Sequence, residues 1–216
     1  MIAVRRLGGM ALAVRRLGSA ALAALLAGCA AVVPAPPTDE AGDTPAPGPG
    51  SYTLDPTHTF VHWEVLHMGT STIRGRFDKA TGRVEFEPKA QRLDVTIRID
   101  TASVNSGVAP LDTLLRGSAM LDVAASPQAT FTSRSARFEA EVPKEVRGEL
   151  TLRGTTRPVT LRNLRWKCGL NLLFRREVCG GDFEAQIERS SFGITHSLPF
   201  VADPVRLLVQ VEAIKQ

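Results

Sequence analysis

Two runs of period-two alternation place the strongest limit on the fold. Leu93, Val95, Ile97 and Ile99 alternate with Asp94, Thr96, Arg98 and Asp100. Val205, Leu207, Val209 and Val211 recur in the same way against Arg206, Gln210 and Glu212. Successive side chains of a strand point to opposite faces, so each run is a strand with one apolar face and one wet face. Phe60 to Val65, Arg83 to Glu87, Thr130 to Phe138, Val146 to Arg153, Val159 to Trp166 and Phe183 to Ile187 also read as strands. Turn-forming stretches such as Gly154-Thr155-Thr156-Arg157-Pro158 separate them. Only Pro110 to Arg116 has the character of a short helix, with Gly117 as its stop. The expected fold is all-β, an antiparallel barrel of about eight strands with one short helix, or a sandwich. Closure would remove exposed edges and let the barrel enclose one small ligand.

The N-terminus carries an address. Paired arginines at 5, 6, 15 and 16 precede the apolar run Ala20 to Leu26, which ends in Leu26-Ala27-Gly28-Cys29. Positive residues, a short apolar core and small residues make a secretory signal peptide, too short for a stable span. A cysteine after Leu-Ala-Gly resembles the bacterial lipoprotein box. That resemblance implies an acylated Cys29 as the mature N-terminus and lipid anchor. Ala30 in the next position resembles the sorting signal for the periplasmic face of the outer membrane. Prolines at 34, 36, 37, 45, 47 and 49 keep the following stretch extended, as a tether. The expected organisation is a signal over 1–28, a Pro/Ala-rich tether over 29–50 and one domain over 51–216.

Charge and cysteine content narrow the function classes. Removing the four signal arginines reduces the 26 basic residues to 22, against 22 acidic ones. The mature chain is formally neutral, which removes the argument for a nucleic-acid partner. Within it, Arg134 to Arg176 holds 11 basic and 4 acidic residues. Such a stretch suits an anionic head group or membrane surface, or simply a solvated face. With Cys29 assigned to lipid, Cys168 and Cys179 remain as an even pair in an oxidising compartment, expected to form a disulfide across a loop between strands that Gly169, Asn171 and Gly180-Gly181 suit.

A series of short motifs then runs through the domain in order. Tyr52-Thr53-Leu54-Asp55-Pro56-Thr57-His58-Thr59 opens it, followed by Val61-His62-Trp63-Glu64-Val65-Leu66-His67-Met68-Gly69 and Ile73-Arg74-Gly75-Arg76-Phe77. Leu111 to Asp122, Pro127-Gln128-Ala129-Thr130-Phe131, Gly148 to Gly154 and Arg189-Ser190-Ser191-Phe192-Gly193-Ile194 complete it. In order and spacing these motifs resemble the YceI-like family of lipocalin-like barrels that bind polyisoprenoid lipids. The resemblance implies a lipocalin-like barrel and an isoprenoid or other amphiphilic lipid as partner. The candidate lining is Trp63, Val65, Phe77, Val95, Ile97, Phe131 and Phe192, with His67 beside them. Leu114 and Ala119-Met120 depart from the family, which usually has His and Asp-Phe there. The stretch from Cys168 to Cys179 looks like an insertion.

Catalytic and metal chemistry find little support in the residues. His58 and His62, placed on one strand, would lie roughly 13 Å apart, too far for one metal ion. No Gly-x-Ser-x-Gly, Gly-rich phosphate loop or metal-ligand cluster occurs. The expected protein is a binding protein with no catalytic residue, metal or cofactor. Two alternatives stand beside it: an interaction module with a filled core, and a hydrolase acting on lipid or glycan.

Overall fold

The computed structural model describes residues 48–173 and 175–216. Cys29, the signal and nearly all of the tether lie outside them. Eleven strands follow in chain order: β1 (Gly50–Leu54), β2 (Phe60–His67), β3 (Ser71–Phe77), β4 (Ala80–Glu87), β5 (Arg92–Asp100), β6 (Val104–Asn105), β7 (Gln128–Glu139), β8 (Val142–Leu152), β9 (Thr155–Asn171), β10 (Arg176–Glu188) and β11 (Val201–Lys215). One helix, α1 (Ala109–Arg116), has Pro110 in its first turn and Gly117 as its C-cap. The helix matches the expected stretch to within a residue. No helix among the described residues is long and apolar enough to cross a membrane.

Eight strands close into an antiparallel barrel in the order β1-β4-β5-β7-β8-β9-β10-β11, with β11 returning to β1. The alternating runs supply its inward faces: Leu93, Val95, Ile97 and Ile99 are all buried, as is Val209. One edge of β11 changes partner part-way along. Ala213 to Lys215 pair with β1, whereas Val201 to Gln210 pair with β2. β2, β3 and β6 therefore extend the sheet past the closure, against the end of the barrel that carries α1. That end is called the lower end here. The upper end holds Gly48, Gln216 and the turns that join β4 to β5, β7 to β8 and β9 to β10.

The outer face is charged and lightly coupled. Arg206 reaches Glu64 and Glu184, Arg74 reaches Glu64, and Arg162 pairs with Glu184. Exposed pairs of this kind contribute about 0–1 kcal/mol each. Burial of the inner face supplies the stability.

Trp63 and Gly75 stand opposite each other on β2 and β3. The indole lies flat over the glycine, so that a Cβ at Gly75 would be 2.3 Å from Trp63 Cζ2 and 2.7 Å from the Asn105 carbonyl oxygen. Gly75→Ala is expected to destabilise the domain by about 1–3 kcal/mol through this overpacking. The check is a denaturant midpoint alongside indole near-ultraviolet dichroism, which should change with it.

Candidate functional site

The barrel interior is apolar and divided. An upper cavity of about 50 Å³ is lined by Tyr52, Phe86, Val95, Trp166, Phe183 and their neighbours. A lower cavity of about 120 Å³ is lined by Trp63, Val65, Phe77, Met120, Ile187 and their neighbours. Strand register locates the partition between them. On β8, Val146 lines the upper cavity and Leu152 the lower, leaving Gly148 and Leu150 between. On β10, Phe183 and Ile187 divide in the same way around Ala185. Phe131 is paired to Ile97 on one side and Leu150 on the other. Its ring packs on Gly148, where a Cβ would come within 2.5 Å of Phe131 Cζ. Phe131, Leu150 and Ala185 thus form a girdle of buried side chains at the level between the two cavities.

Of the residues expected to line a cavity, Trp63, Val65 and Phe77 face the lower one, and Val95 and Ile97 the upper one. Phe131 belongs to the girdle. Phe192 is buried but sits in the 3-10 turn Arg189–Phe192, outside both linings. His67 is half-buried at the end of β2 and lines neither. Two buried nitrogens of these residues, Trp63 Nε1 and Trp166 Nε1, have no hydrogen-bond partner among the described residues. Both are enclosed in the walls, and the surfaces of the two cavities are apolar.

A polar cluster sits where β11 changes partner. The strand begins at Phe60 as expected, so His58 lies in the turn before β2 and does not share a strand with His62. Asp55 N and Thr59 Oγ1 both donate to the Glu212 carbonyl, and Glu212 N donates to Thr59 Oγ1. Asp55 Oδ1 accepts from Thr57 N and Oγ1, and Asp55 Oδ2 is 2.8 Å from His58 Nδ1. Thr57 Oγ1 approaches the same nitrogen at 3.1 Å. One nitrogen facing both hydroxyl and carboxylate cannot relay a proton between them, so the arrangement is not a nucleophilic triad. Asp55, His58 and Glu212 place their ligand atoms within 4.8 Å of one another. Hydrogen bonds within the turn and to the β11 backbone account for Asp55.

Burial raises the pKa of Asp55, but hydrogen bonds from Thr57 and His58 outweigh it and hold the carboxyl below its ordinary value. The hydrogen bond to Asp55, with the charge of Glu212, raises that of His58. The histidine's contribution is therefore complete below about pH 6.5 and is lost as pH rises through its higher folded value. The aspartate's contribution is complete above about pH 4 and lost as pH falls. Asp55→Asn is expected to move the His58 titration back towards its ordinary value, as followed by NMR of the ring protons.

Comparison with known proteins agrees with this architecture. Residues 52–213 match the YceI-like domain. The chain belongs to the YceI-like family. Protein YceI of Salmonella arizonae and that of Salmonella paratyphi B are each 35% identical over 160 residues, 74% of this chain and 83% of theirs. BcnA of Burkholderia cenocepacia superposes with a TM-score of 0.61 at 23% identity, over 74% of this chain and 98% of its own. A polyisoprenoid binding domain from Saccharophagus degradans, implicated in plant cell wall breakdown, superposes at 0.52 with 16% identity, over 76% and 98%.

Within this YceI-like barrel, Leu114 and Ala119 are exposed on and just after α1, while Met120 turns into the lower cavity. The substituted helix positions thus face outward, and an apolar side chain closes the space behind them. Cys168 and Cys179 form the expected disulfide, but as directly opposed strand residues rather than across a loop. Glycines 169, 180 and 181 suggested a turn, yet all three lie in strands. A Cβ at Gly181 would be 2.3 Å from the Arg165 carbonyl, so close approach explains the residue.

Sequence reasoning missed Arg189. It is 4% exposed and lines the lower cavity. Its Nε donates to Ala202 O, Nη1 to Ile194 O and His196 O, and Nη2 to Val201 O. One guanidinium thereby ties down the segment from 193 to 202 that roofs the lower end. A lone arginine at a strand end carries no signal in sequence for such a role.

Proposed function

We propose that this chain is a membrane-anchored lipoprotein whose barrel binds the apolar tail of a polyisoprenoid or similar amphiphile without covalent chemistry. The divided apolar interior carries this reading, and the polyisoprenoid-binding neighbour supports it. Cys29 would supply the anchor and the periplasmic face of the outer membrane the address. Each buried methylene is worth about 0.8 kcal/mol, so tail burial alone can hold a long ligand. The two cavities fall below the roughly 300–1,000 Å³ of a typical ligand site. Occupancy by a long tail therefore requires girdle side chains, Phe131 above all, to move.

The small volumes also favour an interaction module with a filled core. Native mass spectrometry of the gently purified protein, followed by extraction and identification of lipid, separates the two. Retained or accepted polyisoprenoid is the expected result. Protein that neither retains nor accepts such a lipid would mean the filled-core alternative.

A further inference from the structure

We infer that the tip of the β9–β10 hairpin is a membrane-insertion element, holding the upper end of the barrel against a bilayer that carries anionic head groups. Leu170, Leu172 and Leu173 are 67%, 81% and 90% exposed at this tip. A single exposed leucine is ordinary, but three within four residues at the end of one projecting hairpin form a tip that water disfavours. Lys167, Arg175 and Arg176 flank them and are exposed, with no ion-pair partner among the described residues. Apolar tip and basic flanks together match a bilayer interface. Near an anionic surface each lysine or arginine raises partitioning about fivefold.

The route of the chain points the same way. Gly48 N donates to Glu177 Oε1 at 2.9 Å, and Tyr52 Oη lies 2.6 Å from both that oxygen and the Gly48 carbonyl. The chain leading back to Cys29 therefore leaves the barrel beside Arg176. At full extension it reaches about 65 Å, enough to bring the upper end to a membrane holding the cysteine. The disulfide joins the two strands directly below the tip, and Trp166 and Cys179 beside it line the upper cavity. Insertion would set that cavity next to the lipid phase.

The opposite end differs. Met68 and Phe200 are exposed there, but Arg116 and Arg153 are engaged with backbone carbonyls. Those two guanidinium groups are therefore already occupied.

The test uses the full chain with a single environment-sensitive fluorophore on Leu173→Cys or, at the other end, on Phe200→Cys. Each is mixed with phosphatidylglycerol-containing or pure phosphatidylcholine vesicles bearing doxyl-labelled acyl chains. The label reports its own depth, whatever else holds the chain to the vesicle. Expected is quenching at 173 and none at 200, with at least about tenfold less vesicle needed when phosphatidylglycerol is present. Arg175→Glu with Arg176→Glu should abolish that preference. Quenching at 200 instead, or at neither position, would overturn the inference while leaving the cavity reading intact. A concentration-dependent blue shift at 173 without vesicles would also overturn it, by showing that a second copy covers the leucines.

Discussion

Arg189→Ala is expected to remove about 3–5 kcal/mol of folding stability, a large part of the roughly 5–15 kcal/mol that holds a domain folded. The side chain is buried and satisfies the carbonyls of Ile194, His196, Val201 and Ala202. Hydrogen bonds to a charged group are worth more than neutral ones, and a buried acceptor left without a partner costs about 1–3 kcal/mol. Water entering from the lower end will recover part of that loss. Burial lowers the pKa of the guanidinium, but from so high a starting value that it stays charged at physiological pH. Arg189→Lys should recover less than half the loss, because one ammonium cannot reach four carbonyls along a planar fork. Guanidinium unfolding measures the stability. Hydrogen exchange at Val201, whose amide is bonded to the Ser197 carbonyl, reports the roof directly. A loss under about 1 kcal/mol would mean that the segment from 193 to 202 is held by other contacts.

This arginine also shows where the sequence was legible and where it was not. Period-two alternation identified β5 and β11 because their inner residues are apolar without a break. It stopped short on β9, expected to end at Trp166 but running to Asn171, since a bulge at Leu164 breaks the alternation and Gly169 and Asn171 read as loop residues. The even cysteine pair predicted its bond, whereas glycines chosen for close strand approach imitated a turn. The partner change along β11 was illegible, because a strand's own sequence does not record which neighbour it pairs with at each end. Likewise, Phe131 and Phe192 look equally able to line a cavity. Only the fold shows one on a strand between the two cavities and the other within a 3-10 turn.

Those positions lead to the second large effect. Phe131→Ala is expected to cost about 3–5 kcal/mol in the ligand-free protein, as for any well-packed core phenylalanine. Its ring is buried between Ile97 and Leu150 and packed on Gly148. Its register lies between the cavities of about 50 and 120 Å³, so the variant is expected to open space between them. Two consequences then oppose each other. The empty protein loses packing, while a long ligand no longer has to displace the ring on entry, a cost that otherwise lowers apparent affinity. A long-chain polyisoprenoid alcohol should therefore bind the variant about tenfold more tightly than wild type and restore much of its lost stability. A short-chain alcohol that fits the lower cavity alone should bind both about equally. Fluorescence titration with chains of increasing length, paired with thermal unfolding, measures both effects. If the long chain binds the variant more weakly, Phe131 contacts the tail instead of standing in its way. If chain length makes no difference in either protein, the ligand occupies one cavity only and the girdle is simply core.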